Sequence, residues 1–119
     1  RNRMHYMRVR GRETFKFAVT RMAELVASNV QEAGLTLDDV KLIVPHQVNL
    51  RILQAAAERL GIGMEKMYCN IDRYGNTSAA SAPIALDEAV RAGAIASGDV
   101  IVMPAFGGGL SWSSAVVRW

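Results

Sequence analysis

Small secreted domains rely on disulfides, membrane spans on long apolar runs, and nucleic-acid binders on interleaved basic and aromatic residues. This 119-residue sequence has little of any of them. Its single cysteine, Cys69, has no internal partner, so no disulfide framework is available and a reducing, cytoplasmic setting is expected. The neighbours Met67 to Ile71 read as a strand, in which the thiol serves as a small buried hydrophobe. The longest uncharged run, Val100 to Val117, is interrupted by Pro104, three glycines and three serines. It therefore predicts strand, turn and strand, not a membrane helix. The opening Arg1-Asn2-Arg3 carries neither an initiator Met nor the apolar stretch of a secretory signal. The chain is thus expected to continue something upstream and to be a fragment. Low-complexity segments and internal repeats are also lacking.

Acid is scarce at one end only. Residues 1 to 21 hold seven of the 14 basic groups and one acid, a local charge of +6, while the remainder sums to −3. Such an end suits a phosphorylated cofactor, an acidic protein or plain solvent. Nucleic acid is not the expected partner, because no recognition helix or aromatic interleaving accompanies the charge.

What is present is a core: half of the residues are hydrophobic and 21% are charged, the balance of one globular domain. From Glu13 to Ala33, Phe15, Ala18, Val19, Met22, Leu25, Val26 and Val30 recur at helical spacing, with Gly34 as the stop. A polar turn from Thr36 to Asp39 leads to a strand, Val40 to Val44. Leu50, Leu53, Ala56, Ala57 and Leu60 then make one face of a helix closed by Gly61. After the strand expected at Met67 to Ile71, residues from Thr77 to Gly93 read as a helix whose first half is small. Pro83 predicts a kink or an irregular first turn there. Val100 to Phe106 is continuously apolar, as a strand covered on both faces would be, and three glycines reverse it into a strand from Ser111 to Trp119. This order gives an α/β layer with a mixed sheet.

In such sheets ligands gather beyond the carboxyl ends of the strands. His46, Asn76 and Gly107-Gly108-Gly109 all follow strands at that edge. A neutral imidazole offers one N–H, an Asn amide two, and a glycine turn offers backbone N–H groups that no Cβ obstructs. Converged, they would stabilise an oxyanion or an enolate. Taken singly, each has a plainer reading as a cap, a turn former or a hairpin.

Three segments resemble the carboxy-terminal half of β-ketoacyl-acyl carrier protein synthase III in order and spacing. They are Val44-Pro45-His46-Gln47-Val48-Asn49-Leu50-Arg51, Arg73-Tyr74-Gly75-Asn76-Thr77-Ser78-Ala79-Ala80-Ser81 and Ala105-Phe106-Gly107-Gly108-Gly109-Leu110-Ser111-Trp112. The resemblance runs from about Gly11 to Trp119. It implies the second half of a thiolase-like α/β fold, working as a homodimer on acyl-coenzyme A and malonyl-acyl carrier protein, with no cofactor and no metal. By that resemblance His46 and Asn76 match two members of a Cys-His-Asn triad, whose cysteine lies in the amino-terminal half. Gly108 matches the residue whose backbone N–H serves the oxyanion hole. Asn49, Arg51, Phe15, Ala18 and Lys16 match positions around the pantetheine tunnel and its basic entrance. Arg12 stands where the family often has Asn, and Glu58 where it often has Lys. Three other readings compete: a hydrolase with His46 as base, which needs an acidic partner for the imidazole, a non-catalytic module that binds acyl carriers, and a synthase III relative acting in secondary metabolism.

Overall fold

The computed structural model describes residues 10–119. The first helix, α1 (Gly11–Glu32), buries Ala18, Met22, Ala23, Val26 and Val30 along one stripe, as the spacing predicts. A short 3-10 turn, Leu37–Asp39, delivers the chain to β1 (Val40–Ile43). Helix α2 (Leu50–Leu60) ends at Gly61, whose φ of 69° lies in the left-handed region that a glycine enters at no steric cost. A four-residue helix, α3 (Ile71–Tyr74), and the longer α4 (Ser81–Arg91) precede β2 (Val100–Gly107) and β3 (Ser111–Arg118).

The strands form one mixed sheet in the order β1-β2-β3, with β1 parallel and β3 antiparallel to β2. Alternation along β2 sends Val100 and Val102 to one face and Ile101 to the other. The first face meets α1 and α2 through Met22, Val26, Val30, Leu53, Ala56 and Ala57. The second meets α4 through Ala85 and Ala89, together with Ile95. The small residues of α4 are thus what allow it to lie close to the sheet. Val40 and Leu42 are two apart yet face opposite layers, because an irregularity in the β1–β2 register falls between them, at Lys41. Among the described residues, no helix is long and apolar enough to cross a membrane.

One expectation changes and another is narrowed. The strand predicted over Met67 to Ile71 shrinks to a single parallel bridge between Met67 and Ile43. The reason lies in Pro45: Ile43 O accepts the Tyr68 N–H at 2.8 Å, but the next rung of the parallel ladder needs an N–H at position 45, and proline has none. A side chain fills the gap: the buried Gln47 donates from Nε2 to the Tyr68 carbonyl at 3.0 Å and accepts from the Asn70 N–H at 3.1 Å. Its amide does for that segment what a neighbouring peptide group does in a sheet. Ile71 then belongs to α3. For Pro83, the irregular first turn is the form of the expectation that the structure shows. The proline is the third residue of α4, where N–H groups have no partner within the helix anyway, and the irregularity sits earlier as a 3-10 turn at Ser78–Ala80.

Candidate active site

The β1–α2 turn, the α3–α4 loop and the β2–β3 turn meet at the carboxyl ends of β1 and β2 around an open cavity of about 1200 Å3. Small-molecule sites commonly run to about 300–1,000 Å3, so this one has room for a large ligand. His46, Asn76 and Gly108 all line it, and so do Asn49, Phe15, Phe106 and Leu110. Three segments far apart in the sequence are therefore brought together.

His46 is carried out of the sheet as a continuation of β1, its N–H donating to the Pro104 carbonyl at 3.0 Å. The ring is half-buried and meets Phe106 edge-on, with centroids 5.9 Å apart. Burial lowers its pKa from the ordinary 6.5, because the imidazolium loses more hydration than the neutral ring. Nδ1 lies 2.5 Å from Ser81 Oγ, and the same oxygen accepts the Gln47 N–H at 3.0 Å. The partner behind the imidazole is thus a hydroxyl. The carboxylate that a hydrolase would place there is not present among the described residues.

Asn76 projects from the loop after α3. Its Oδ1 accepts the Ser78 N–H at 2.9 Å, a local turn that ties up the oxygen and leaves both amide hydrogens of Nδ2 to donate elsewhere. Ser78 pays for this with a φ of 54°, unusual for a residue with a Cβ. The segment that leads into this loop is held from α4, where Glu88 receives Arg73, Tyr68 Oη at 2.9 Å and Asn70 Nδ2 at 3.4 Å. At Gly108 a Cβ would meet nothing within 4 Å, so the backbone there is open to the cavity.

The remaining expected contacts divide. Asn49 lines the cavity, but its Oδ1 is engaged as the N-cap of α2, accepting the Arg51 N–H at 2.9 Å. Replacing Asn49 by Ala should lower the unfolding free energy by about 1 kcal/mol through the lost cap, visible as a lower denaturant midpoint. An unchanged midpoint would show that the cap contributes nothing. Arg51 and Lys16 are exposed and stand outside the cavity lining. Ala18 is fully buried in the core and is not brought to the cavity. Arg1, Arg3 and Arg8 of the basic end lie outside the described residues; of the others, Arg10 pairs with Glu13, and Arg21 pairs with Glu24 beneath Trp112. Cys69 is half-buried, and burial, with the Asp72 charge behind it, pushes its thiol up, away from nucleophilic character.

Sequence reasoning missed Ser81 and Gln47. A polar residue wedged between Pro45 and Val48 was the one available signal for Gln47, whereas Ser81 was hidden within a run of small residues.

A mixed α/β layer with a cavity at its strand ends, ringed by an imidazole, an amide and an open glycine backbone, is the donor-lined architecture of a thiolase-like fold. Residues 30–119 match the family model described as 3-Oxoacyl-(acyl-carrier-protein) synthase III C terminal. A relative from Roseiflexus sp. strain RS-1, beta-ketoacyl-(acyl-carrier-protein) synthase III, is 54% identical over 96% of this chain and 35% of its own length. The crystal structure of the Thermus thermophilus synthase III superposes with a TM-score of 0.91 at 54% identity, covering 96% of this chain and 35% of that one. The synthase III from Aquifex aeolicus VF5 gives 0.95 at 47% identity, covering 99% and 38%. This chain belongs to the synthase III carboxy-terminal family. It spans about a third of the length of these relatives, 35% in the first case.

Proposed function

We propose that this chain acts as the carboxy-terminal part of an acyltransferase that condenses an acyl-coenzyme A starter with malonyl-acyl carrier protein, initiating fatty acid synthesis. A cysteine supplied from outside residues 1–119 attacks the starter thioester, releasing coenzyme A and holding the acyl group. Malonyl-carrier then loses carbon dioxide. The electron pair left behind is an enolate whose oxygen takes hydrogen bonds from His46 and Asn76, and its carbon attacks the acyl thioester. The 3-oxoacyl-carrier leaves and the thiolate returns. Gly108 N–H helps hold the oxyanion of the acyl-transfer step.

The observation that carries this reading is the convergence of His46, Asn76 and Gly108 on one cavity. Residues with donors to offer, lining a shared space, suit a reaction whose charge develops on oxygen. Coenzyme A and phosphopantetheine thioesters are substrates here, and the chemistry calls on no cofactor or metal. The cytoplasm is the setting where these substrates meet, and a homodimer is the expected assembly. In single turnover, protein that carries both this chain and the cysteine should first take up label from acyl-coenzyme A. It should then release carbon dioxide from malonyl-carrier. Labelling without any carbon dioxide release would overturn the proposal.

Arg51 and Lys16, exposed and next in sequence to the cavity-lining Ile52 and Phe15, supply cations for phosphate or for an acidic carrier. Replacing either with Ala should raise KM for malonyl-carrier several-fold at low salt, with a smaller effect at high salt where exposed charges are screened. Turnover of bound substrate should be spared. A KM that does not respond at low ionic strength would return both residues to a solvated face.

A further inference from the structure

Ser81 opens α4 with 2% of its surface exposed, and its hydroxyl lies between two groups of the β1–α2 turn. One is the Gln47 N–H at 3.0 Å, which can only donate and therefore occupies a lone pair of Ser81 Oγ. The other is His46 Nδ1 at 2.5 Å. Among the described residues, no carbonyl or carboxylate accepts from this hydroxyl, and its burial removes water as an alternative. Its one proton consequently has one destination. Were Nδ1 to carry a hydrogen of its own, Oγ would face two donors while its own proton lay buried without an acceptor, an arrangement that folded proteins avoid.

We infer that Ser81 is a positioning residue: its hydroxyl donates to His46 Nδ1, fixes the imidazole as the Nε2–H tautomer and leaves that N–H as the ring's donor toward the cavity. The second nitrogen of a working histidine is set by the hydrogen bond the first one makes. Asn76 is treated in the same manner, its acceptor oxygen tied to Ser78 N and its donors left free. Gln47 links the two sides, since its backbone N–H holds Ser81 while its side chain holds the segment that leads to Asn76. The tautomer stands on this geometry alone. Its consequence for rate rests on the function proposed above, and the test keeps the two apart.

The whole protein, labelled with 15N-histidine, is examined by NMR at neutral pH, and the His46 signals are assigned as those lost in His46→Gln. Nδ1 should fall in the range of an unprotonated acceptor nitrogen and Nε2 in that of an N–H. A protonated Nδ1 in the unmodified protein overturns the inference without any variant being needed. In Ser81→Ala, carbon dioxide release from malonyl-carrier should drop about 10- to 100-fold, as when the partner behind a metal-bound imidazole is removed. That loss should fall on kcat, with KM for malonyl-carrier within about twofold and acyl labelling of the cysteine unchanged, because only interactions formed as charge develops are lost. Ser81→Cys, which keeps a weak donor of similar size, should recover part of the rate. Full activity in Ser81→Ala, or a loss confined to KM, also overturns it. Should the unmodified protein release no carbon dioxide at all, the proposed function fails, while the nitrogen shifts still decide the tautomer.

Discussion

His46→Ala and Asn76→Ala should each abolish carbon dioxide release from malonyl-carrier while acylation of the cysteine largely survives. The expectation follows from what the two side chains have free to offer. Asn76 has its oxygen occupied by Ser78 N and retains two hydrogens, and the half-buried His46 is biased toward the neutral ring. Both are therefore suited to donate to the malonyl thioester oxygen as it becomes an enolate in decarboxylation, whereas the oxyanion of thiol acylation is the one proposed for the Gly108 N–H. Loss of one such donor costs about 10² to 10³ in rate, roughly 2.7–4 kcal/mol, and two donors sharing an oxygen need not add. The assay separates the steps: labelling by acyl-coenzyme A in single turnover, then carbon dioxide from malonyl-carrier. If His46→Ala stops labelling while decarboxylation continues, the histidine is the base for the cysteine and the donor assignment is wrong. The pH profile carries the same sign. Since burial holds the His46 pKa below 6.5, the neutral donor persists as pH falls through that value, and the acidic limb of decarboxylation should lie below it. Folding should weaken over the same range, because the unfolded chain takes up the proton first.

Gln47→Leu should be the most destabilising single change near the site, lowering the unfolding free energy by about 2–4 kcal/mol. Leucine fills a similar volume and is apolar, so the loss does not come from a cavity. It comes from the Tyr68 carbonyl and the Asn70 N–H, which would remain buried without partners, each orphaned group costing about 1–3 kcal/mol. Chemical denaturation of the whole protein reads the effect as a shift in midpoint. A shift below about 0.5 kcal/mol, the size of an ordinary surface substitution, would mean that the 68–70 segment finds other partners.

Where the backbone is satisfied by backbone, the sequence is easily read. Helices α1 and α2 announce themselves by apolar spacing and end near Gly34 and Gly61, and the continuous apolar run of β2 marks a strand covered on both faces. Met67 to Ile71 misled for the opposite reason. Its residue types suit a strand, but its partner is the Gln47 side chain 23 positions away from Asn70, a pairing that leaves no trace in local periodicity. The site divides along the same line. His46, Asn76 and Gly108 could be placed at one sheet edge by topology and given roles by resemblance. Ser81 could not, since 35 positions separate it from the ring it touches. Asn49 was read as a ligand contact, and the structure adds a structural task as the cap of α2. Ala18 shows that matching a family position does not by itself bring a side chain to the cavity.

Glu88 has a consequence for time as well as for place. Arg73, Tyr68 and Asn70 all reach this one carboxylate on α4, so the segment that leads into the loop bearing Asn76 is tethered to a packed helix. Free surface loops wander on the nanosecond scale. For the entry to that loop to move, several hydrogen bonds to Glu88 must break nearly together, which makes its displacement a rare, concerted opening and not a continuous drift. The chain thus enters the Asn76 loop from a point that stays put on the timescale over which free loops sample many positions.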